Sequence, residues 1–199
     1  MKLSRRNFMG AIATGSTGLI APGAFAAVRS GDRPALLDRA MDALNSHGSK
    51  IRDRKIVGLV DFSMSSGMRR FQIVDIGNGE VLANHLVAHG RGSDPANSGW
   101  ARRFSNRPGS NASSQGSFLI GETYFGKHGR SLRLHGLDPE NDLAFSRTIV
   151  IHGANYVSDG IARTSGRVGR SLGCFTVSQR DVAQVLAKLG PGKLLFAAK

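Results

Sequence analysis

The turn Gly77-Asn78-Gly79 constrains this chain more than any other feature. Its residues tolerate positive φ, and it separates two apolar segments too short to be helices, 68–76 and 80–88. In the first, side chains alternate at Phe71 and Ile73, with Asp75 fitting less cleanly. A third such segment, 55–62, runs into the turn residues 63–67. Three strands joined by short turns predict an antiparallel meander.

The flanks add helices and more strands. Leu37, Ala40, Met41 and Leu44 fall at helical spacing. Pro34 suits the first turn of that helix and Gly48 its stop, which predicts a helix over 34–46. Residues 89–115 read as a long polar loop, a length often tied to function. Strands follow at 116–125, interrupted by Gly121, within 126–136, and at 147–151. Residues 154–170 read as a loop carrying Arg163, Arg167 and Arg170. Ser178 and Asp181 form a capping pair for a second helix, whose buried face is Val182, Val185, Leu186 and Leu189. Gly190-Pro191-Gly192 ends it, and 194–197 is a last strand. The fold class is mainly β, a β-rich α+β chain with one N-terminal and one C-terminal helix.

The first 26 residues read as an export signal. Lys2, Arg5 and Arg6 make a basic start, and Ser4-Arg5-Arg6-Asn7-Phe8-Met9 fits the twin-arginine pattern. The apolar stretch 11–20 is too short to span a bilayer, and Ala24-Phe25-Ala26 is a small-x-small cleavage site. The expected organisation is a signal at 1–26, a helical lead at 27–54 and one catalytic domain at 55–199. Losing the three cations of the signal lowers the formal charge from +13 to +10. So basic a domain attracts polyanions. Outside the cytoplasm these are anionic wall polymers, carboxylate-bearing peptides or lipid head groups. No nucleic-acid motif and no later membrane span is evident. The expected location is periplasmic or otherwise extracytoplasmic, by way of the twin-arginine machinery, and the expected state is a monomer.

Cys174 is the single cysteine, so it has no internal disulfide partner. It sits between Gly173 and the apolar run Phe175-Thr176-Val177. The β-branched run Thr148-Ile149-Val150-Ile151 ends in His152-Gly153. A histidine at the end of one strand and a cysteine at the start of another can form a thiolate nucleophile. The same residues also fit a buried free thiol beside an incidental histidine. His85 and His89 lie four apart, but in a strand and its exit and without a third ligand, so no metal and no cofactor is expected.

Five blocks in order resemble the murein L,D-transpeptidase catalytic domain family, the YkuD-type fold. They are Phe104-Ser105-Asn106, Ser113 to Phe118, Gly121 to Gly129, Ile149 to Gly153, and Gly169 to Cys174. The resemblance implies a β-sandwich or meander in which Cys174 is the nucleophile and His152 its base. It implies that the Gly153 carbonyl orients the imidazole and that backbone N–H groups at Gly173 and Cys174 form the oxyanion hole. The substrates it implies are peptidoglycan stem peptides, cut after their third residue through a thioester. The commoner family motif is Ser-His-Gly-Cys-x-Arg. Here Leu172 replaces its second histidine and Thr176 its arginine. Carboxylate binding would then pass to other residues, with Arg170 the nearest. The expected substrate contacts are Arg170, Ser171, Arg167, Arg163 and His89. Two alternatives keep the fold: an L,D-carboxypeptidase or cross-link hydrolase with water as acceptor, and a non-catalytic basic peptidoglycan-binding protein.

Overall fold

The computed structural model describes residues 34–199. The expected export signal and its expected cleavage site lie outside the described residues. Eight strands form one sheet in the order β3-β2-β1-β8-β4-β5-β6-β7. They are β1 (Ile56–Asp61), β2 (Arg69–Asp75), β3 (Glu80–Leu86), β4 (Gly116–Gly126), β5 (Gly129–Gly136), β6 (Val150–Ala154), β7 (Phe175–Ser178) and β8 (Leu194–Ala198). The meander β1-β2-β3 is antiparallel as its turns predict. The C-terminal β8 inserts parallel to β1 and antiparallel to β4, and so joins that meander to the rest of the sheet.

The sheet curls until its ends meet. Just past β3, the Ala88 N–H donates to the Thr176 carbonyl at 2.8 Å, which bridges the chain to β7. Side chains alternate across each strand, so one face of the curled sheet fills a common core. Phe71, Phe118, Leu132, Ile151, Phe175 and Leu195 meet there, with Val185 and Leu186 from α3 (Val182–Lys188) and Leu189 at its C-cap closing over them. Ser178, expected to open this helix, ends β7 instead: its hydroxyl accepts from the Asp181 N–H at 3.0 Å in the intervening turn, and the helix begins after Asp181 with no side-chain cap.

The helix α1 (Leu37–Ser46) covers the other face of β1, β2 and β8. Its buried residues are Leu37, Ala40, Ala43 and Leu44. Met41, expected on this face, turns outward because Ala43 takes the inner position. Residues 34–36 form a turn rather than helix.

Two further expectations need correction. Residues 154–170 are not all loop, because α2 (Asp159–Ser165) lies within them. The Ser158 hydroxyl caps it by accepting from the Ile161 N–H, and Gly166 ends it at a φ of 65°. His152 stands in the middle of β6 rather than at its end. No helix among the described residues is long and apolar enough to cross a membrane.

Candidate active site

Parallel pairing of β6 with β7 brings His152 and Cys174 onto one cavity. The register sets His152 opposite Thr176 and Ile151 opposite Phe175. Ile151 and Phe175 point into the core. By alternation, Val150, His152, Cys174 and Thr176 share the other face. Val150, His152 and Cys174 line a cavity of about 580 Å³ there, together with Tyr124, Lys127, His128, Arg147, Tyr156, Arg170, Ser171 and Leu172.

The His152 ring is fixed at both nitrogens. Its Nδ1 meets the Gly153 carbonyl oxygen at 3.0 Å. A carbonyl only accepts, so the proton sits on Nδ1 and Nε2 is left with a lone pair. That lone pair faces the Thr176 hydroxyl at 3.0 Å, and the Tyr156 hydroxyl donates to Thr176 at 3.2 Å. The His128 ring stacks on His152 with centroids 4.1 Å apart. Burial holds the His152 pKa below the ordinary histidine value, with His128 and Lys127 acting in the same direction and the Gly153 carbonyl opposing. The imidazole is therefore neutral near pH 7, the state a base needs.

Cys174 is half-buried, and its thiol approaches the Thr148 carbonyl at 3.5 Å. Burial pushes this thiol up, while the N–H groups of Val150 and of Cys174 itself, with Lys127 and Arg147, act against that rise. Cys174 therefore rests as a thiol, and His152 Nε2 is occupied by the Thr176 hydroxyl.

The turn before Cys174 is built around a glycine. Gly173 has a φ of 125°, and a Cβ there would stand 2.9 Å from the Ala112 carbonyl oxygen. Only glycine fits both demands. The Ser171 hydroxyl donates to the Cys174 carbonyl at 2.8 Å and accepts from the Gly173 N–H at 3.1 Å. The expected oxyanion role of Gly173 therefore meets an N–H already in use. Ser171 lines the cavity, but its hydroxyl is spent on the turn.

The expected arginine contacts disperse. Arg170 lines the cavity, yet its guanidinium donates to the Asp94 carbonyl. Arg163 is exposed on α2 and lines a different depression with Asp159 and Arg180. Arg167 donates to the Ser165 carbonyl at 3.2 Å and is not part of the catalytic cavity. His89 is buried below the surface, with Nδ1 2.8 Å from an Arg70 nitrogen and Nε2 3.4 Å from the Asp94 carboxylate. It supports the site through its backbone, whose carbonyl accepts from the Ser171 N–H at 2.9 Å.

The loop 89–115, read as too polar to pack, packs through its serines. The Ser113 hydroxyl accepts from the Gly90 N–H at 3.0 Å and donates to the Gly173 carbonyl at 3.1 Å. Arg147 clamps the same loop by donating to Ser105, Ser110, Ala112 and Ser114. The roles of Arg147, Tyr156, Thr176 and His128 carried no local sequence signal, because each depends on which strand lies beside which. Among the described residues no cluster of three His, Cys, Asp or Glu side chains is placed to hold a metal ion.

Burial pushes the His89 imidazole down to about 4, with Arg70 adding to the shift and Asp94 opposing it. A depressed histidine stabilises the fold above its ordinary 6.5, and that stability is lost as pH falls toward 4. The loss is on the order of 3 kcal/mol. Urea melts at pH 7 and pH 4 should show it, and His89→Asn should have the flatter pH dependence.

The family model for the L,D-transpeptidase catalytic domain matches residues 29–198. The chain belongs to the L,D-transpeptidase catalytic domain family. That match takes in α1. No curated protein matches the chain. Among solved structures, the L,D-transpeptidase 3 of Mycobacterium tuberculosis with a faropenem-derived adduct is 13% identical with a TM-score of 0.46, over 73% of this chain and 60% of that one. An L,D-transpeptidase from Mycobacterium smegmatis is 14% identical with a TM-score of 0.44, over 73% and 59%. Residues 123–326 of an L,D-transpeptidase from Xylanimonas cellulosilytica are 14% identical with a TM-score of 0.45, over 80% and 69%. This chain thus spans about three fifths of the mycobacterial proteins it matches.

Proposed function

We propose that the chain is an exported, cysteine-dependent L,D-transpeptidase acting on peptidoglycan stem peptides through a Cys174 thioester. The observation that carries this is the β6–β7 register, which sets Cys174 and a neutral, ring-locked His152 on one cavity. His152 Nε2 first exchanges the Thr176 hydroxyl for the thiol. It takes the thiol proton as the sulfur attacks the amide carbonyl after the third residue of a stem tetrapeptide. The tetrahedral oxyanion collapses, the C–N bond breaks, and His152 returns the proton to the departing D-alanine amine. An amine of a second stem then attacks the thioester and gives its proton to His152. The acyl group is transferred, and His152 reprotonates the leaving thiolate.

Digestion of purified peptidoglycan with the protein tests this reading. New dimers joined at the third residue are the expected product. Shortened stems without dimers would make water the acceptor, and unchanged murein would leave a binding protein.

Export rests on Arg5 and Arg6. Replacing both with Lys keeps the charge and removes the guanidinium pair that the receptor reads. Precursor should accumulate in the cytoplasm on fractionation. Normal processing after Ala26 would contradict the assignment.

A further inference from the structure

A second cavity, of about 490 Å³, shares a wall with the catalytic one. Its lining includes Arg103, Phe104, Ser105, Arg107, Ser110 and Ala112. The wall is Arg147, which lines the catalytic cavity and donates to the carbonyls of Ser105 and Ala112 and to the Ser110 hydroxyl. The Ala112 carbonyl also packs on Gly173, one residue from the nucleophile. One guanidinium and one turn of loop therefore separate this cavity from the Cys174 turn.

Two cations in this cavity have donors to spare. Arg103 uses only Nε, which donates to the Gly92 carbonyl at 2.7 Å. Among the described residues its terminal nitrogens, and the whole Arg107 guanidinium, have no acceptor. No carboxylate lines the cavity. Both arginines are exposed at its mouth. A guanidinium fork with free terminal nitrogens matches a carboxylate in geometry as well as charge. Phe104, Pro108 and Ala112 supply apolar wall beside it.

We infer that the cavity framed by Arg103 and Arg107 is a second substrate subsite, which holds a carboxylate of the acceptor peptide. This rests on the transferase reading, in which two peptides must meet at one thioester. In the catalytic cavity Arg147 spends both terminal nitrogens on the loop, and Arg170 spends one on the Asp94 and Pro95 carbonyls. The Arg103 and Arg107 forks stand on the far side of the Arg147 wall, so the acceptor is anchored by arginines outside the catalytic cavity. The two peptides then do not compete for one anchor.

The test uses a synthetic stem tetrapeptide as donor and a stem tripeptide as acceptor, with the purified protein and its Arg103→Gln/Arg107→Gln variant. Acylation of Cys174 by the donor alone should be unchanged in the variant, which also reports correct folding. The acceptor KM for dimer formation should rise roughly tenfold or more, as expected for loss of a charge-assisted contact. An acceptor with its carboxylates amidated should be poor for the unaltered protein and no worse for the variant. An unchanged acceptor KM, or acylation that falls in the same proportion, would overturn the subsite. Tripeptide binding to Cys174→Ser protein by calorimetry reads the subsite without turnover. Arginine-dependent binding there would keep the subsite even where no acyl-enzyme forms, and a Kd that ignores both arginines would remove it.

Discussion

Replacing Cys174 with Ser should reduce turnover to background while the protein stays folded. The side chain occupies a half-buried position on the cavity, so removing its sulfur leaves the core untouched. The hydroxyl is a much weaker acid than the thiol. The burial that already pushes the thiol up would act on the alkoxide too. A neutral His152 cannot generate that alkoxide to a useful extent. The expected loss is on the order of 10⁴-fold or more, the scale seen when a nucleophile is removed from a group that acts as a unit. Steady-state release of D-alanine measures it, and circular dichroism melting verifies the fold. Residual turnover within tenfold of the unaltered protein would place the nucleophile elsewhere.

His152→Ala should have the second largest effect, and its pH dependence distinguishes a base from a structural ring. Near neutral pH the loss should be about 10²- to 10⁴-fold, the usual worth of a positioned general base. Burial pushes the Cys174 pKa up, so an unassisted thiol is almost wholly protonated there. Each unit of pH should then raise the variant's activity about tenfold until the thiol itself titrates. The unaltered protein should behave oppositely. Its base is lost when His152 is protonated, and burial holds that pKa below 6.5, so activity should fall only on the acid side. Profiles of kcat/KM from pH 5 to 10 separate the two. A variant that stays inactive at high pH would mean that the ring is needed for the shape of the site.

These two residues were legible in the sequence because each lies beside a strand that can be recognised locally. Cys174 precedes an apolar run, and His152 follows a β-branched one. The meander was legible for the same reason, since Gly77-Asn78-Gly79 can make only a tight turn. The insertion of β8 between β1 and β4 was not, because it joins residues 75 to 137 positions apart with no matching pattern. The groups around His152 were hidden too. Thr176 reads as a strand residue and Tyr156 as a loop residue until the register places both against the imidazole. α2 was missed because Asp159-Gly160 and the small polar residues around it read as turn signals. Where the arginine side chains end was not legible, because a long side chain can reach several partners. Arg170 sits four residues before Cys174, yet its guanidinium donates to the Asp94 carbonyl. The burial of His89 was not legible either, since it stands where the apolar run Leu86-Val87-Ala88 gives way to a polar loop.

Thr176 marks where this member departs from the commoner motif. A strand residue that would carry an arginine instead supplies a hydroxyl to the His152 imidazole. The site thereby exchanges a cation for a neutral hydrogen-bonded chain of Tyr156, Thr176 and His152. A full positive charge beside Nε2 would lower the imidazole's basicity further, whereas the hydroxyl satisfies its lone pair until the thiol replaces it.

Intact-mass spectrometry after mixing with a stem tetrapeptide tests the central claim most directly. The protein should gain the mass of the tripeptide acyl group. Peptide mapping should place it on Cys174, and the Cys174→Ser variant should gain nothing. An adduct on another residue, or release of D-alanine by the variant at the unaltered rate, would contradict the account.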